Sequence, residues 1–260
     1  NHWKNAFTLI ELLVTLAIIG LLASLLLAGV SRARASSEQA YCASNLRQLH
    51  AANTMYADDN GFYVAAAADI HQANRTRWHG RRNSGNGPFD GAQGPLARYL
   101  GQDKTVRRCP GFKNFEAREN AFEGSCGGYG YNDRGVGSQA YIHGYTAKGC
   151  ARGMKPEAIA HPAETVMFAD AAFPQPYDQP EYLIEYSFAE SCLFVSTDEM
   201  PSGAGQARPS VHFRHKDRAN VIWCDGHVSA EPMSFSSDDT QKGLGIGWFG
   251  PEDNSLFDPY

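Results

Sequence analysis

Apolar positions along this chain change spacing twice. Residues 7–30, FTLIELLVTLAIIGLLASLLLAGV, are apolar almost throughout. As one helix the run reaches roughly 36 Å, enough to cross a hydrocarbon core of about 30 Å. In residues 31–60, Cys42, Leu46, Leu49, Asn53 and Tyr56 recur at steps of four, three, four and three, with Ala52 beside them. That spacing predicts an amphipathic continuation of the same helix. Asp58-Asp59-Asn60-Gly61 predicts its end, Asn60 or Gly61 taking the left-handed cap. From Phe7 to about Ala57 the rod would measure some 75 Å.

Beyond residue 60 the pattern is short apolar runs broken by glycine and proline. Residues 62–95 read as loop, closing on SGNGPFDGAQGP, and a short helix follows from Pro95 to Leu100. Strands are expected at Thr165–Ala169, Leu183–Tyr186, Leu193–Ser196, Ser210–Phe213, Ala219–Cys224 and His227–Ala230. Asp225-Gly226 is a strong hairpin signal, so Ser210 to Ala230 reads as a three-stranded meander. The predicted fold class is α+β: a long N-terminal helix, apolar then amphipathic, packed on a C-terminal antiparallel β domain with long loops. Four segments result: 1–6, a leader remnant or N-terminal extension; 7–30, the apolar helix; 31–60, its amphipathic half; and 61–260, a globular β domain.

Composition changes this picture little. With 260 residues, a net charge of −5 and 43% hydrophobic residues, the chain gives no electrostatic case for nucleic acid. Its mean hydropathy of −0.41 shows that the part after the apolar run is distinctly polar. The segment NRTRWHGRRN, 74–83, is an arginine cluster read as a solvated loop or a contact with an acidic neighbour, with a polyanion patch as the rival. The six cysteines, Cys42, Cys109, Cys126, Cys150, Cys192 and Cys224, include no C-x-x-C pair, so zinc and thioredoxin chemistry lack local support. If residues 7–30 enter a membrane and the rest lies outside, disulfides are the expected use. No G-x-S-x-G, H-E-x-x-H, phosphate-binding glycine loop or C-x-x-C-H haem motif occurs.

Glu11 is the anomaly. A carboxylate within an apolar span costs roughly 2.5–3.5 kcal/mol, and such a residue is functional by default and needs a partner. A cleavable secretory signal fits poorly, although Ala33-Arg34-Ala35 resembles a cleavage site, because its apolar core runs only about 7–15 residues. A plain anchor explains the length and not the acid.

Phe7-Thr8-Leu9-Ile10-Glu11-Leu12-Leu13 resembles the N-terminal signature of type IV pilins and type II secretion pseudopilins. The resemblance implies a prepilin peptidase that cuts between Ala6 and Phe7 and methylates the new amine. It implies that Glu11 then pairs with the N-terminal ammonium of a neighbouring copy as helices stack into a filament. The family carries glycine before the cut, where this chain has Ala6. With processing upstream of Asn1 the partner would instead be Lys4 or His2 of a neighbour. Relatives often have a helix-breaking proline where this chain has Ala28, so the helix between Gly20 and Gly29 is expected to hold together better than theirs. His215, nine residues, then Asp225-Gly226 resembles the prepilin-associated motif of a subfamily of large pilin-like proteins.

The resemblance also implies a Cys42–Cys109 disulfide and, as in major pseudopilins, a loop calcium, for which Asp58, Asp59 and Asn60 are candidate ligands. Six cysteines allow 15 connectivities. Cys126 with Cys150 closes a glycine- and tyrosine-rich excursion, and Cys192 with Cys224 remains. The implied role is a non-enzymatic subunit of a pilus-like or secretion-pseudopilus-like homopolymer. It would need no cofactor, calcium being a candidate that a plain helix stop at Asp58, Asp59 and Asn60 explains equally well, and would be made in the inner membrane and displayed at the cell surface by its assembly machinery. The competing reading is a membrane-anchored metal-binding protein or enzyme using His215, Asp225 and His227, imidazole and carboxylate ligands that suit zinc. Against it, Asp225 can cap its own turn while His215 bonds across the hairpin.

Overall fold

The computed structural model describes residues 8–85, 87–112, 122–176, 182–194 and 205–260. Helix α1, Leu9–Asn60, runs 52 residues without a break, about 78 Å. Local chemistry sets both ends. Thr8 is extended and accepts the Glu11 N–H, while the Glu11 carboxylate accepts the Thr8 N–H, a complete capping box. Gly61 adopts φ 78°, where a side chain would be strained, and donates its N–H to the Ala57 carbonyl. The helix passes through Gly20 and Gly29 uninterrupted, as expected without proline.

The predicted helix face is the buried one. Cys42, Leu46, Leu49, Ala52 and Asn53 are fully enclosed, and Tyr56 is half-buried. They meet an antiparallel sheet. In chain order the strands are β1 (Thr76–Arg77), β2 (Gly80–Arg81), β3 (Tyr129–Tyr131), β4 (Val166–Asp170), β5 (Phe173–Gln175), β6 (Tyr182–Ile184), β7 (Val211–His212), β8 (Arg218–Trp223), β9 (Val228–Pro232) and β10 (Ile246–Gly247). The main sheet has the order β3-β4-β8-β9, and β1-β2, β5-β6 and β7-β10 form two-stranded pairs. Alternation along β8 divides the core. Ile222, and Cys224 just past the strand, join Leu46, Leu49, Tyr131 and Phe168 on the helix side. Ala219, Val221 and Trp223 face Phe249 and Phe257 on the other.

Several expectations are corrected. The strand expected at Ser210–Phe213 forms as β7 but pairs with β10, so the three-stranded meander does not exist. Both edges of β8 are taken, by β4 and β9, and no edge is left for β7. The expected run Leu193–Ser196 shows one bridge, Leu193 to Gln206, and its last two residues lie outside the described residues. Residues 62–95 contain the β1-β2 hairpin, and Pro95–Leu100 holds a 3-10 turn, Ala97–Tyr99.

The arginine cluster is not a solvated loop. Arg77 is buried and bonds both Glu123 oxygens, with Nη2 2.7 Å from Oε1. Trp78 is fully enclosed, its Nε1 donating to the Ser187 carbonyl at 2.7 Å and its ring 5.1 Å from that of Phe168. Arg82 is buried over the Phe89 ring and donates to the Asn74 and Phe122 carbonyls. Arg75 and Arg81 are the exposed members. Buried guanidinium groups are tolerated because each donor finds an oxygen or an aromatic face.

Candidate functional site

The first half of α1 presents an unusual surface. Every described side chain from Leu9 to Val30 is exposed, Leu9 at 75% and Leu26 at 67%. Its most apolar 18 residues have a mean hydropathy of 2.6, and none is buried against the rest of the chain. By length and composition this helix can cross a membrane. An apolar surface of this size is not stable in water and marks a membrane or protein contact.

Glu11 sits one turn into that surface. Its Oε2 accepts from the Thr8 N–H at 2.9 Å and from Thr8 Oγ1 at 2.8 Å. The carboxylate therefore has a partner inside its own chain, a role that the resemblance did not supply. The expected processing site, Ala6 and Phe7, lies outside the described residues.

The residues of the His-x9-Asp-Gly pattern separate to opposite ends of β8, a strand of six residues, roughly 20 Å long. At one end Asp225 and His227 form an exposed pair, with His227 Nδ1 2.7 Å from Asp225 Oδ1, which also accepts the His227 N–H at 3.0 Å. Gly226 there has φ 91°, and a Cβ on it would lie 3.0 Å from the His50 ring of α1. His50 Nε2 lies 3.0 Å from the Cys224 carbonyl. At the other end His215 is buried against α1. The three proposed metal ligands His215, Asp225 and His227 therefore do not converge. The pattern instead ties β8 to the helix at two points, His215 near Cys42 and Gly226 against His50.

His215 Nε2 lies 3.4 Å from Cys109 Sγ, and together with Cys42 Sγ these ligating atoms all fall within 4.8 Å of one another. All three residues are at most 4% exposed. Arg214 Nε donates to Cys109 Sγ at 3.3 Å, and its Nη2 donates to Asp170 Oδ1 at 2.7 Å. Asp170 Oδ2 accepts the Asn220 N–H at 2.7 Å and lies 3.5 Å from His215 Nε2. The hydrogen bond between the two sulfurs, then Arg214 and His215, holds the Cys109 thiol well below its usual range. The same bond and burial push Cys42 up.

No sulfur–sulfur bond joins the six cysteines in the structure. Cys42 and Cys109 do come together. Cys126 instead points its sulfur at Glu185, 3.8 Å away, while Cys150 ends the short helix Ala147–Cys150. Cys192 donates to the Asp253 carbonyl in the Trp248 cluster, whereas Cys224 belongs to the helix-side core. Asp58, Asp59 and Asn60 lie exposed at the helix end. Asp59 accepts from Tyr99 Oη at 2.7 Å and faces Arg98, and Asn60 Nδ2 bonds the Tyr56 carbonyl. The Asn60 side chain thus closes the last helical turn, while Asp59 ties the helix end to Arg98 and Tyr99.

The sequence reading missed what docks the helix. Asn45 Nδ2 donates to Tyr129 Oη at 2.9 Å and Asn53 Nδ2 to Tyr131 Oη at 3.0 Å, while Asn53 Oδ1 accepts the Val64 N–H. Two tyrosines spaced by two in GYGYN and a polar residue within an apolar helix face were the available signals.

Residues 4–27 match the family described as the prokaryotic N-terminal methylation motif. No curated protein and no solved structure matches the chain. The match covers most of the apolar half of α1, with Glu11, and supports a type IV pilin- or pseudopilin-like protein, carrying a long N-terminal helix on an antiparallel β domain. Such a motif implies prepilin-peptidase processing and assembly into filaments, suggests a structural role, and fits a membrane-anchored precursor.

Proposed function

We propose that this chain is the structural subunit of an extracellular type IV pilus-like or pseudopilus-like filament and catalyses no reaction. The observation that carries the reading is the helix half Leu9–Val30, matched by the methylation motif and exposed on all sides. As a precursor it rests in the inner membrane. After cleavage by a prepilin peptidase, the assembly machinery moves it from lipid into a bundle of identical helices, where the same apolar surface is covered by other copies. Glu11 receives the positive N-terminus of an adjoining copy and sets the register, since an uncompensated carboxylate in that bundle is costly.

The capping box sharpens the test. Glutamine serves at the third helical position of such a box, so Glu11→Gln keeps the helix start and removes the charge. Filaments sheared from cells that carry the chain and its assembly genes should fall at least about tenfold in E11Q, a loss equivalent to about 1.4 kcal/mol. The uncut or cut monomer should accumulate in the inner membrane. Filaments of normal abundance and length in E11Q would overturn the role assigned to the charge, and surface filaments lacking this chain would overturn the reading itself.

A further inference from the structure

We propose that Cys42, Cys109 and His215 form a buried site for a thiophilic divalent metal ion, zinc in chemical class, that fastens the β domain to the helix. The three ligands come from α1, from the loop before β3 and from the turn before β8, and Cys109 and His215 stand 106 positions apart. No local sequence motif announces them. Among the described residues, theirs is the group of three ligating side chains within reach of one ion.

Distance, donor chemistry and charge all agree with such an ion. Zinc bonds of about 2.3 Å to sulfur and about 2.0 Å to nitrogen, at tetrahedral angles, set a sulfur–nitrogen edge of about 3.5 Å. Cys109 Sγ and His215 Nε2 are 3.4 Å apart. Two sulfurs and an imidazole are soft and borderline donors, suited to zinc and unsuited to calcium or magnesium. Two thiolates with the Asp170 carboxylate balance a divalent cation with the Arg214 guanidinium, which leaves the buried cluster neutral. Arg214 already donates to Cys109 Sγ, and Asp170 and the Gly128 carbonyl hold it there. The backbone is shaped around the ligands as well. A Cβ on Gly111 would lie 2.9 Å from the His215 ring and 3.5 Å from Cys109 Sγ. On binding, the thiols release their protons to solvent and no oxidation occurs. The three protein ligands leave the fourth tetrahedral position to a water, and because they come from helix, loop and turn the ion clasps stalk to domain.

The test uses the full chain in detergent, reduced and stripped of metal, titrated with Co²⁺ as the probe. Expected is one equivalent per chain, the visible bands of tetrahedral cobalt and an intense thiolate-to-metal band in the near ultraviolet, all displaced by Zn²⁺. Cys42→Ser and Cys109→Ser should each lose much of the thiolate band, and His215→Gln should weaken binding at least tenfold, while Cys126→Ser should behave as the unaltered chain. The spectrum of the unaltered chain decides even if a ligand variant fails to fold. The proposal is overturned if that chain takes up no cobalt, if its spectrum lacks the thiolate band, or if Cys42→Ser leaves the band intact. It is also overturned if mass spectrometry of protein from its own cell surface finds Cys42 and Cys109 joined as a disulfide. None of these results bears on filament assembly, which is read separately.

Discussion

Residues Leu9–Val30 and Cys42–Ala57 belong to one unbroken helix but solve the burial problem differently. The first half is apolar on every side and covered by none of the described residues of its own chain. The second half is apolar on one side, where the four-stranded sheet covers it. On that side Asn45 and Asn53 each donate to a tyrosine of β3. The difference shows how helix surface distinguishes an element that completes its own domain from one that awaits lipid or other copies. Hydrophobicity alone does not distinguish them; circumferential distribution does.

The largest expected effect breaks the second half. Leu46→Ala empties a fully enclosed site and should destabilise the β domain by about 2–5 kcal/mol, read by denaturant unfolding of the full chain. Loss of under about 1 kcal/mol would mean that helix and sheet are not one cooperative unit.

Acid should act on the domain and spare the stalk. Burial first, then Arg77 and Arg82, depress the His79 pKa to about 3, against an ordinary value near 6.5. Its neutral ring lies 2.7 Å, through Nε2, from Ser187 Oγ. Because the folded pKa is the lower, the unfolded chain binds more protons between these values. Stability is therefore fully present above about pH 6.5 and falls as pH drops toward 3, by on the order of 4–5 kcal/mol. His79→Gln should flatten that slope in a pH series of thermal unfolding. It should not remove it, since burial holds His212 down in the same way.

A charge placed in the first half should do the converse. Leu16→Lys is expected to cost about 3 kcal/mol of membrane insertion, seen as a shift from the integral to the extractable membrane fraction. Domain unfolding should stay within about 0.5 kcal/mol of the unaltered chain. A matching loss of domain stability would erase the distinction between the halves. The smallest effect tests the clasp at β8. Gly226→Ala forces a side chain into φ 91° beside His50 and should cost about 1–2 kcal/mol. Adding His50→Ala should recover only the part due to the close contact, since the backbone strain stays.

What could be read in advance follows one physical line. The stop of α1 at Gly61, its apolar half, its amphipathic spacing and the Asp225-Gly226 turn show over a few neighbouring residues, and the residue pattern contains that information. Misreadings came where partners lie far apart in the chain. The arginines of 74–83 looked solvated because Glu123 and Phe89, their buried partners, are not their near neighbours. His215 looked like a companion of Asp225 because only the sheet shows that β8 holds them apart.

By itself, then, the sequence determined a long helix of two characters and an acid that had to be partnered near its start, because periodicity and capping are local. Only the tertiary structure decided that β7 leaves the sheet, that Arg77, Trp78 and Arg82 are buried, and that Cys42, Cys109 and His215 share one buried point. Strand edges and side-chain clusters are settled by competition among residues distant in the chain, and no spacing along it records which partner prevails.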